Sequence, residues 1–133
     1  MSNANDYEEL KTWDDLKCDM NILRGIYSIG FENPSPIQKK AIIPMNSGND
    51  IIAQAQSGTG KTGCFSICSL MSVDVSLKST QVLIISPTHE LTSQTKSVID
   101  KIGTFMDGLK TKMLIGGTSI DSDIQYFNRN KPH

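Results

Sequence analysis

The chain has 133 residues, of which 38% are hydrophobic and 20% charged, and its formal net charge is −1. This length and composition suit one globular domain with a sizeable apolar core, and the near-neutral charge gives no sign of the basic footprint that dedicated nucleic-acid binders usually show. No run approaches the ~20 apolar residues of a membrane span, and the N-terminus lacks a signal or transit pattern, so we expect a cytoplasmic protein without a membrane partner.

The N-terminal part is predicted to begin with a loose segment and a short helix. Residues 1–12 are polar and acidic, and we expect them to be flexible, with the folded domain spanning 13–133. Apolar residues recur at helical spacing over residues 20–29, with Asp19 as a suitable N-cap and Gly30 as a stop. A second helix is predicted to follow, because Ser35 can cap it and Pro36 suits its first position; Pro44 is expected to end it.

The rest of the chain alternates between short apolar runs and helical patterns. Strands are predicted over residues 50–54, 81–86 and 112–115, and helices over residues 61–73, 90–105 and from 119 onward. Unbroken aliphatic strands separated by helices favour an α/β fold, in which a parallel sheet is covered by helices on both faces. Because such sheets normally contain five or more strands, we expect this chain to hold only the N-terminal portion of the fold.

Three cysteines raise the question of a metal site. Cys64 and Cys68 lie one helical turn apart, whereas Cys18 stands alone. A zinc site would need further ligands, and the two histidines, His89 and His133, are at unrelated spacings. Small buried side chains are therefore favoured over a metal centre.

The stretch "AQAQSGTGKTG" has the features of a phosphate-binding loop. It follows a predicted strand and opens a helix, as the G-x-x-x-x-G-K-[ST] pattern requires, although Ala55 stands at the first glycine position. Gly58 and Gly60 permit backbone angles that let successive amides converge on one anion. Lys61 supplies a positive charge for the outer phosphates, and the Thr62 hydroxyl is a hard ligand suited to Mg²⁺. The loop therefore predicts binding of a nucleoside triphosphate.

An upstream glutamine suggests which base is recognised. Gln38 is predicted to lie in the first turns of the second helix, where its amide can donate and accept at once, as adenine requires and guanine does not. Trp13, the sole tryptophan, could stack on the same base. Outside this context, Gln38 would be read as a solvated surface residue and Trp13 as a packing anchor.

Four motifs in this order, "W…GFENPSPIQ", "AQAQSGTGKT", "PTHEL" and "IGG", resemble the first half of a DEAD-box ATP-dependent RNA helicase. The resemblance covers Trp13 to the C-terminus and implies a RecA-like P-loop fold in the first of two helicase domains. It implies ATP and Mg²⁺ as cofactors. The implied partners are RNA, a second helicase domain and translation initiation factors.

The resemblance also assigns roles to individual residues. Adenine and phosphate contacts fall on Trp13, Phe31, Gln38, Ser57, Gly58, Thr59, Gly60, Lys61 and Thr62, with Lys61 and Thr62 as the catalytic pair and Thr62 as the metal ligand. RNA contacts fall on Pro87, Thr88, His89, Gly116 and Gly117. His89 stands where the family has arginine, and a neutral imidazole is a weaker phosphate partner; an ordinary surface histidine is an equal alternative.

The sequence carries no acid where a P-loop ATPase holds its metal. The later predicted strands end in Ser86 and Gly116, and the family's D-E-A-D motif does not occur. We therefore expect the isolated chain to be inactive as an ATPase, with turnover belonging to a longer protein. Two alternatives are a truncated, non-catalytic module that binds nucleotide or a partner, and a GTPase, for which "NKPH" at the C-terminus is a near match to N-K-x-D.

Overall fold

The computed structural model describes residues 7–133 of the chain, so half of the predicted flexible segment lies outside the described residues. The described part forms five α-helices: α1 Met20–Ser28, α2 Pro36–Asn46, α3 Lys61–Met71, α4 His89–Ile102 and α5 Ile120–Asn130. Two short 3-10 turns cover Trp13–Asp15 and Gly103–Phe105. Within residues 7–133, no helix is long and apolar enough to cross a membrane.

Polar side chains fix where three of the helices begin. The Asp19 carboxylate accepts a hydrogen bond from the amide of Asn21 at 2.7 Å, which confirms the predicted start of α1. The Thr88 hydroxyl accepts from Leu91 at 3.2 Å, so α4 begins at His89, one residue before the predicted start. The Ser119 hydroxyl caps α5 in the same way. Each cap satisfies an amide that the first helical turn leaves without a partner.

The predicted end of α2 at Pro44 is wrong, because the helix continues to Asn46. A proline inside a helix removes one amide donor, but it leaves its own carbonyl and those around it free to accept. The Ser47 amide donates to Ile43 at 3.0 Å, and the Asn49 side-chain amide donates to Pro44 at 3.0 Å. These bonds close the last turn despite the missing donor.

The three predicted strands are not formed as hydrogen-bonded strands in the described residues. The segments 50–54, 81–86 and 112–115 run without helix, but no ladder joins them. A strand forms only when its backbone is hydrogen-bonded to a neighbouring strand, and these segments have no such neighbour among the described residues. Several aliphatic side chains of these segments are consequently exposed, Ile85 by 86% and Leu83 by 76%.

The core is built around α3, which packs against α2 and α4. The side chains that are completely or almost completely buried come from several elements: Leu10, Trp13, Ile26, Ile42, Ile67, Leu70 and Ile102. The Leu10 amide also donates to the carbonyl of Lys39 at 3.0 Å, so packing against α2 starts before the predicted domain boundary at residue 13. The helix that follows the phosphate loop is therefore held from two sides.

The cysteines of α3 belong to this core. Cys64 and Cys68 are free and buried. The hydrogen bond with Cys64, together with burial, raises the pKa of the Cys68 thiol. A buried thiol of this kind packs as a small apolar side chain. Among the described residues, no group of three His, Cys, Asp or Glu side chains could hold a metal ion.

Helices α1 and α4 approach each other most closely at a glycine. A Cβ atom on Gly25 would lie 1.7 Å from the carbonyl oxygen of Ile102, which is main chain and cannot rotate away. Only a residue without a side chain permits this approach, and it brings Ile26 and Ile102 into the same core cluster.

We predict that Gly25→Ala destabilises the fold by about 1–3 kcal/mol or more, because the helices must separate to admit the methyl group. Urea unfolding followed by circular dichroism measures the change. Gly116→Ala is the matched control: its nearest neighbour is a His89 ring atom at 3.6 Å, an ordinary contact, so we expect a much smaller loss. Equal stability of Gly25→Ala and the unmodified chain would contradict the close approach of α1 and α4.

Candidate functional site

The loop between residue 55 and α3 adopts the backbone that its glycines permit. Gly58 and Gly60 have φ angles of 77° and 98°, in the left-handed region that disfavours side chains. This confirms the conformational role predicted for them. Gly60 is the N-cap of α3, so the loop ends directly on the helix N-terminus. The loop is thus shaped by the two glycines of the motif.

Some backbone N–H groups of this loop are free to donate to a ligand. The amides of Gly60, Lys61 and Thr62 donate to no backbone acceptor in the part of the chain that the structure describes. The first amides of a helix point along its axis, and the helix dipole adds partial positive charge at the same end. Such a convergence of free amides is a binding site for an anion, and phosphate is the anion that suits it best.

The side chain of Lys61 lies over the same loop. Its Nζ donates to the carbonyl of Ala55 and, at 3.2 Å, to that of Gln56. The ammonium group is therefore held by neutral acceptors and is not paired with a carboxylate, so a phosphate can compete for it. The Thr59 hydroxyl also donates to Gln56, at 2.6 Å, and so stiffens the loop.

Thr62 occupies the second position of α3 and is half-buried. Its hydroxyl makes no hydrogen bond to the described residues, so the oxygen remains free as a ligand. A hydroxyl next to bound phosphates suits a Mg²⁺ ion, which prefers hard oxygen ligands and keeps several waters. Ser57, on the exposed side of the loop, is also open to solvent.

Gln38 joins the second helix to the phosphate loop. Its side chain is only 3% exposed. The amide oxygen accepts from the backbone N–H of Ser35 at 2.8 Å, and the amide nitrogen donates to the carbonyl of Gly60 at 3.1 Å. The residue predicted to recognise a base is therefore anchored on the loop itself, and one of its two amide hydrogens is left for a ligand.

The two aromatic residues predicted to contact adenine stack on each other. The ring centroids of Trp13 and Phe31 are 6.4 Å apart, with 18° between their planes. Trp13 is completely buried, and its indole N–H has no partner among the described residues. Phe31 is partly exposed and reaches Gly63 of α3. In this structure Phe31 is thus the aromatic ring beside the loop, and the buried Trp13 ring stacks against Phe31.

Two neighbours of the loop were not anticipated from the sequence. A Cβ on Gly63 would lie 2.8 Å from the Phe31 ring and 2.9 Å from the Gln38 amide nitrogen, so a larger residue at this helix position would displace one of these side chains. The buried Ser35 hydroxyl, which has no hydrogen-bond partner among the described residues, faces Gly60. A glycine inside a predicted helix is itself a signal of close packing, and Gly63 could have been found that way.

The residues predicted to contact RNA come together on an exposed surface. Pro87, Thr88 and His89 lie at the N-terminus of α4, and Gly116 and Gly117 lie in the turn before α5; all five are exposed. The His89 Nε2 atom is 3.6 Å from the position that a Cβ would take on Gly116. The two segments, separated by more than twenty residues in sequence, are therefore adjacent.

Comparisons with known proteins identify the family to which this chain is similar. The family model for the DEAD/DEAH box helicase matches residues 35–133. The chain is 50% identical over 120 residues to the ATP-dependent RNA helicase eIF4A of Yarrowia lipolytica, covering 90% of this chain and 30% of that helicase. It therefore spans less than a third of the length of this curated relative.

Solved structures of helicases have the same fold. A DEAD box protein from Methanococcus jannaschii superimposes with a TM-score of 0.82 at 28% identity, over 94% of this chain and 39% of that chain. Saccharomyces cerevisiae Dbp5 L327V bound to RNA and ADP BeF3 superimposes with a TM-score of 0.71 at 29% identity, over 93% of this chain and 36% of that chain. The predicted RecA-like α/β class is confirmed by these neighbours, and the chain belongs to the DEAD/DEAH box helicase family.

Proposed function

We propose that this chain is the ATP-binding part of a DEAD-box ATP-dependent RNA helicase similar to eIF4A, and that it works with RNA and a second helicase domain. The observation that carries the proposal is the loop 57–62, in which free amides, two left-handed glycines and an unpaired Lys61 ammonium meet at the start of α3. Its curated relatives are named ATP-dependent RNA helicases, and one structural neighbour holds RNA and a nucleotide.

The phosphates of ATP would lie on the amides of residues 57–62. Lys61 would exchange its contacts with Ala55 and Gln56 for the outer phosphates, which carry more negative charge. The Thr62 hydroxyl would hold Mg²⁺, which would supply positive charge that offsets the charge of the phosphates. Because the amides are already aligned by α3, little reorganisation is needed before the anion binds.

The base would lie next to Gln38 and Phe31. The remaining amide hydrogen of Gln38 can donate to adenine, and a base stacked on Phe31 would be close to the loop. Trp13 would then act on the nucleotide through Phe31. With an eIF4A-like role, the protein would work in the cytoplasm, and translation initiation factors would be its partners.

RNA would bind to the exposed surface formed by residues 87–89 and 116–117. The N-terminus of α4 attracts phosphate through its free amides, and the glycine pair lets the RNA backbone approach the protein closely. His89 lies between these two elements, where a positive side chain would contact the sugar–phosphate backbone.

We predict that Lys61→Ala lowers ATP and ADP affinity by more than about tenfold, because charge-assisted hydrogen bonds contribute roughly 1.5–3 kcal/mol. Isothermal titration calorimetry with ADP and Mg²⁺ measures the change. Lys40→Ala, which removes an exposed lysine of α2, is the control and should bind normally. Unchanged affinity in Lys61→Ala would refute the assignment of the phosphate loop.

We predict that Gln38→Ala reduces the preference for ADP over GDP by roughly 1–3 kcal/mol, the contribution of a good amide–base pair. Competition between the two nucleotides, followed by fluorescence, measures the preference. Gln38→Glu keeps the bond from Ser35 but removes both amide hydrogens, so it isolates the contribution of the donor nitrogen from that of the amide oxygen. A preference unaltered in Gln38→Ala would exclude the base-reading role, whereas weaker binding of both nucleotides would indicate support of the loop alone.

We predict that His89→Arg strengthens RNA binding, because arginine is always charged and binds phosphate through two parallel donors. For single-stranded RNA, one added phosphate contact steepens the dependence of log affinity on log salt by about 0.7. Fluorescence anisotropy at several salt concentrations measures both effects. Ser97→Arg adds the same charge on the exposed face of α4 about two turns away, and equal effects of the two variants would show that His89 makes no specific contact.

A further inference from the structure

The turn that carries Trp13 is joined to α1 by a single side-chain hydrogen bond. The Tyr27 hydroxyl, in the last turn of α1, donates to the Asp14 carboxylate at 2.9 Å, across thirteen positions of sequence. Within residues 7–133 it is the only hydrogen bond from residues 13–15 to another element, because the other bonds of the turn stay inside it. We call this contact the Asp14–Tyr27 bond.

The orientation of the Trp13 ring is not set by a polar bond of its own. The ring is completely buried, and its indole N–H has no hydrogen-bond partner among the described residues. Apolar burial is non-directional, so it keeps the ring in the core without fixing the angle at which the ring lies. The backbone of the turn sets that angle, and the Asp14–Tyr27 bond fixes the turn against α1.

The same bond reaches the second ring of the stack. Phe31 follows α1 closely, and its backbone amide donates to a carbonyl of that helix at 3.4 Å, so it is tied to the helix end that carries Tyr27. The rings of Trp13 and Phe31 lie 6.4 Å apart with 18° between their planes. The Asp14–Tyr27 bond therefore joins the segment of one ring to the segment of the other.

The chemistry of the pair defines its donor and its strength. The hydrogen bond to Asp14 raises the pKa of the Tyr27 hydroxyl, so Tyr27 keeps its proton and remains the donor. Tyr27 is 42% exposed and Asp14 is exposed as well, so the bond contributes less to stability than a buried one. Its loss should loosen the stack of the two rings and leave the core in place.

We propose that Asp14 and Tyr27 are positioning residues for nucleotide binding, which act on the base through the stacked rings of Trp13 and Phe31. The inference rests on the proposed function, in which the base stacks on Phe31. A ring that is already held at one angle loses little freedom when a base packs on it, so ordering the stack beforehand favours binding. The phosphates contact the loop 57–62, on which this bond does not act.

The experiment compares ADP with pyrophosphate, which carries phosphates without a base, by isothermal titration calorimetry. We expect Tyr27→Phe to lower ADP affinity about three- to tenfold, the effect of one exposed hydrogen bond, and to leave pyrophosphate affinity unchanged. Tyr126→Phe is the matched control and should bind ADP normally, because the hydroxyl that it removes makes no hydrogen bond within the described residues and its ring contact with Lys112 is kept.

Variants of Asp14 test whether the hydroxyl acts through this bond. Asp14→Asn keeps an oxygen that can accept from Tyr27, so ADP affinity should stay close to that of the unmodified chain. Asp14→Ala should lower ADP affinity as much as Tyr27→Phe does. The double variant should bind ADP no more weakly than either single variant, because both changes remove the same bond.

Unchanged ADP affinity in Tyr27→Phe, or equal weakening of ADP and pyrophosphate, would overturn the inference and leave the phosphate loop assignment standing. Additive losses in the double variant would also overturn it, because the two residues would then act independently. If the unmodified chain bound no ADP, this inference and the proposed function would both be wrong.

Discussion

Two hydrogen bonds of one buried amide hold the proposed nucleotide site together. Gln38 connects the start of α2, through the Ser35 amide, to the carbonyl of Gly60 at the start of α3. Both partners are backbone groups near helix ends, so the side chain fixes the relative position of two helices and sets the end of the phosphate loop. Because Gln38 is almost fully buried, removing it would leave two polar groups without partners, at a cost of about 1–3 kcal/mol each. The close fit of Gly60 and Gly63 against Gln38 follows from the same constraint, since a methyl group at either position would displace the amide.

Two consecutive helices of this core carry the two halves of the proposed function. Helix α3 begins at the phosphate loop, α4 begins at the surface proposed for RNA, and the two helices pack against each other. The charge of Lys61 is held on loop carbonyls, which places a positive group at the site before any nucleotide is present. Both sites thus rely on helix N-termini, which offer free amides to phosphate groups.

Local signals in the sequence predicted the helices well, and they failed where a result depended on distant neighbours. Asp19 and Ser119 cap helices through bonds to residues two or three positions away; α1 begins where the predicted Asp19 cap places it, and α5 begins one residue after its predicted start. The phosphate loop is equally local, so its glycines and Lys61 could be identified from the motif. Pro44 was misread because bonds around it, from Ser47 and Asn49, compensate for its missing donor. The burial of Trp13 and the anchoring of Gln38 on Gly60 depend on packing between segments far apart in sequence, which no short motif encodes.

The extended segments show most clearly the difference between structure set by local sequence and structure that depends on distant neighbours. A helix satisfies its backbone within itself, so α2 and α4 form from their own residues and caps. A strand depends entirely on its neighbours, and the segments 81–86 and 112–115 are apolar and suitably patterned, yet no ladder joins them in the described residues. Hydrophobic pattern therefore predicted which residues are suited to a sheet, but not whether a sheet is present. At His133 one extended residue does bond to both segments, because its amide donates to Lys110 at 2.9 Å and its carbonyl accepts from Val82 at 3.0 Å.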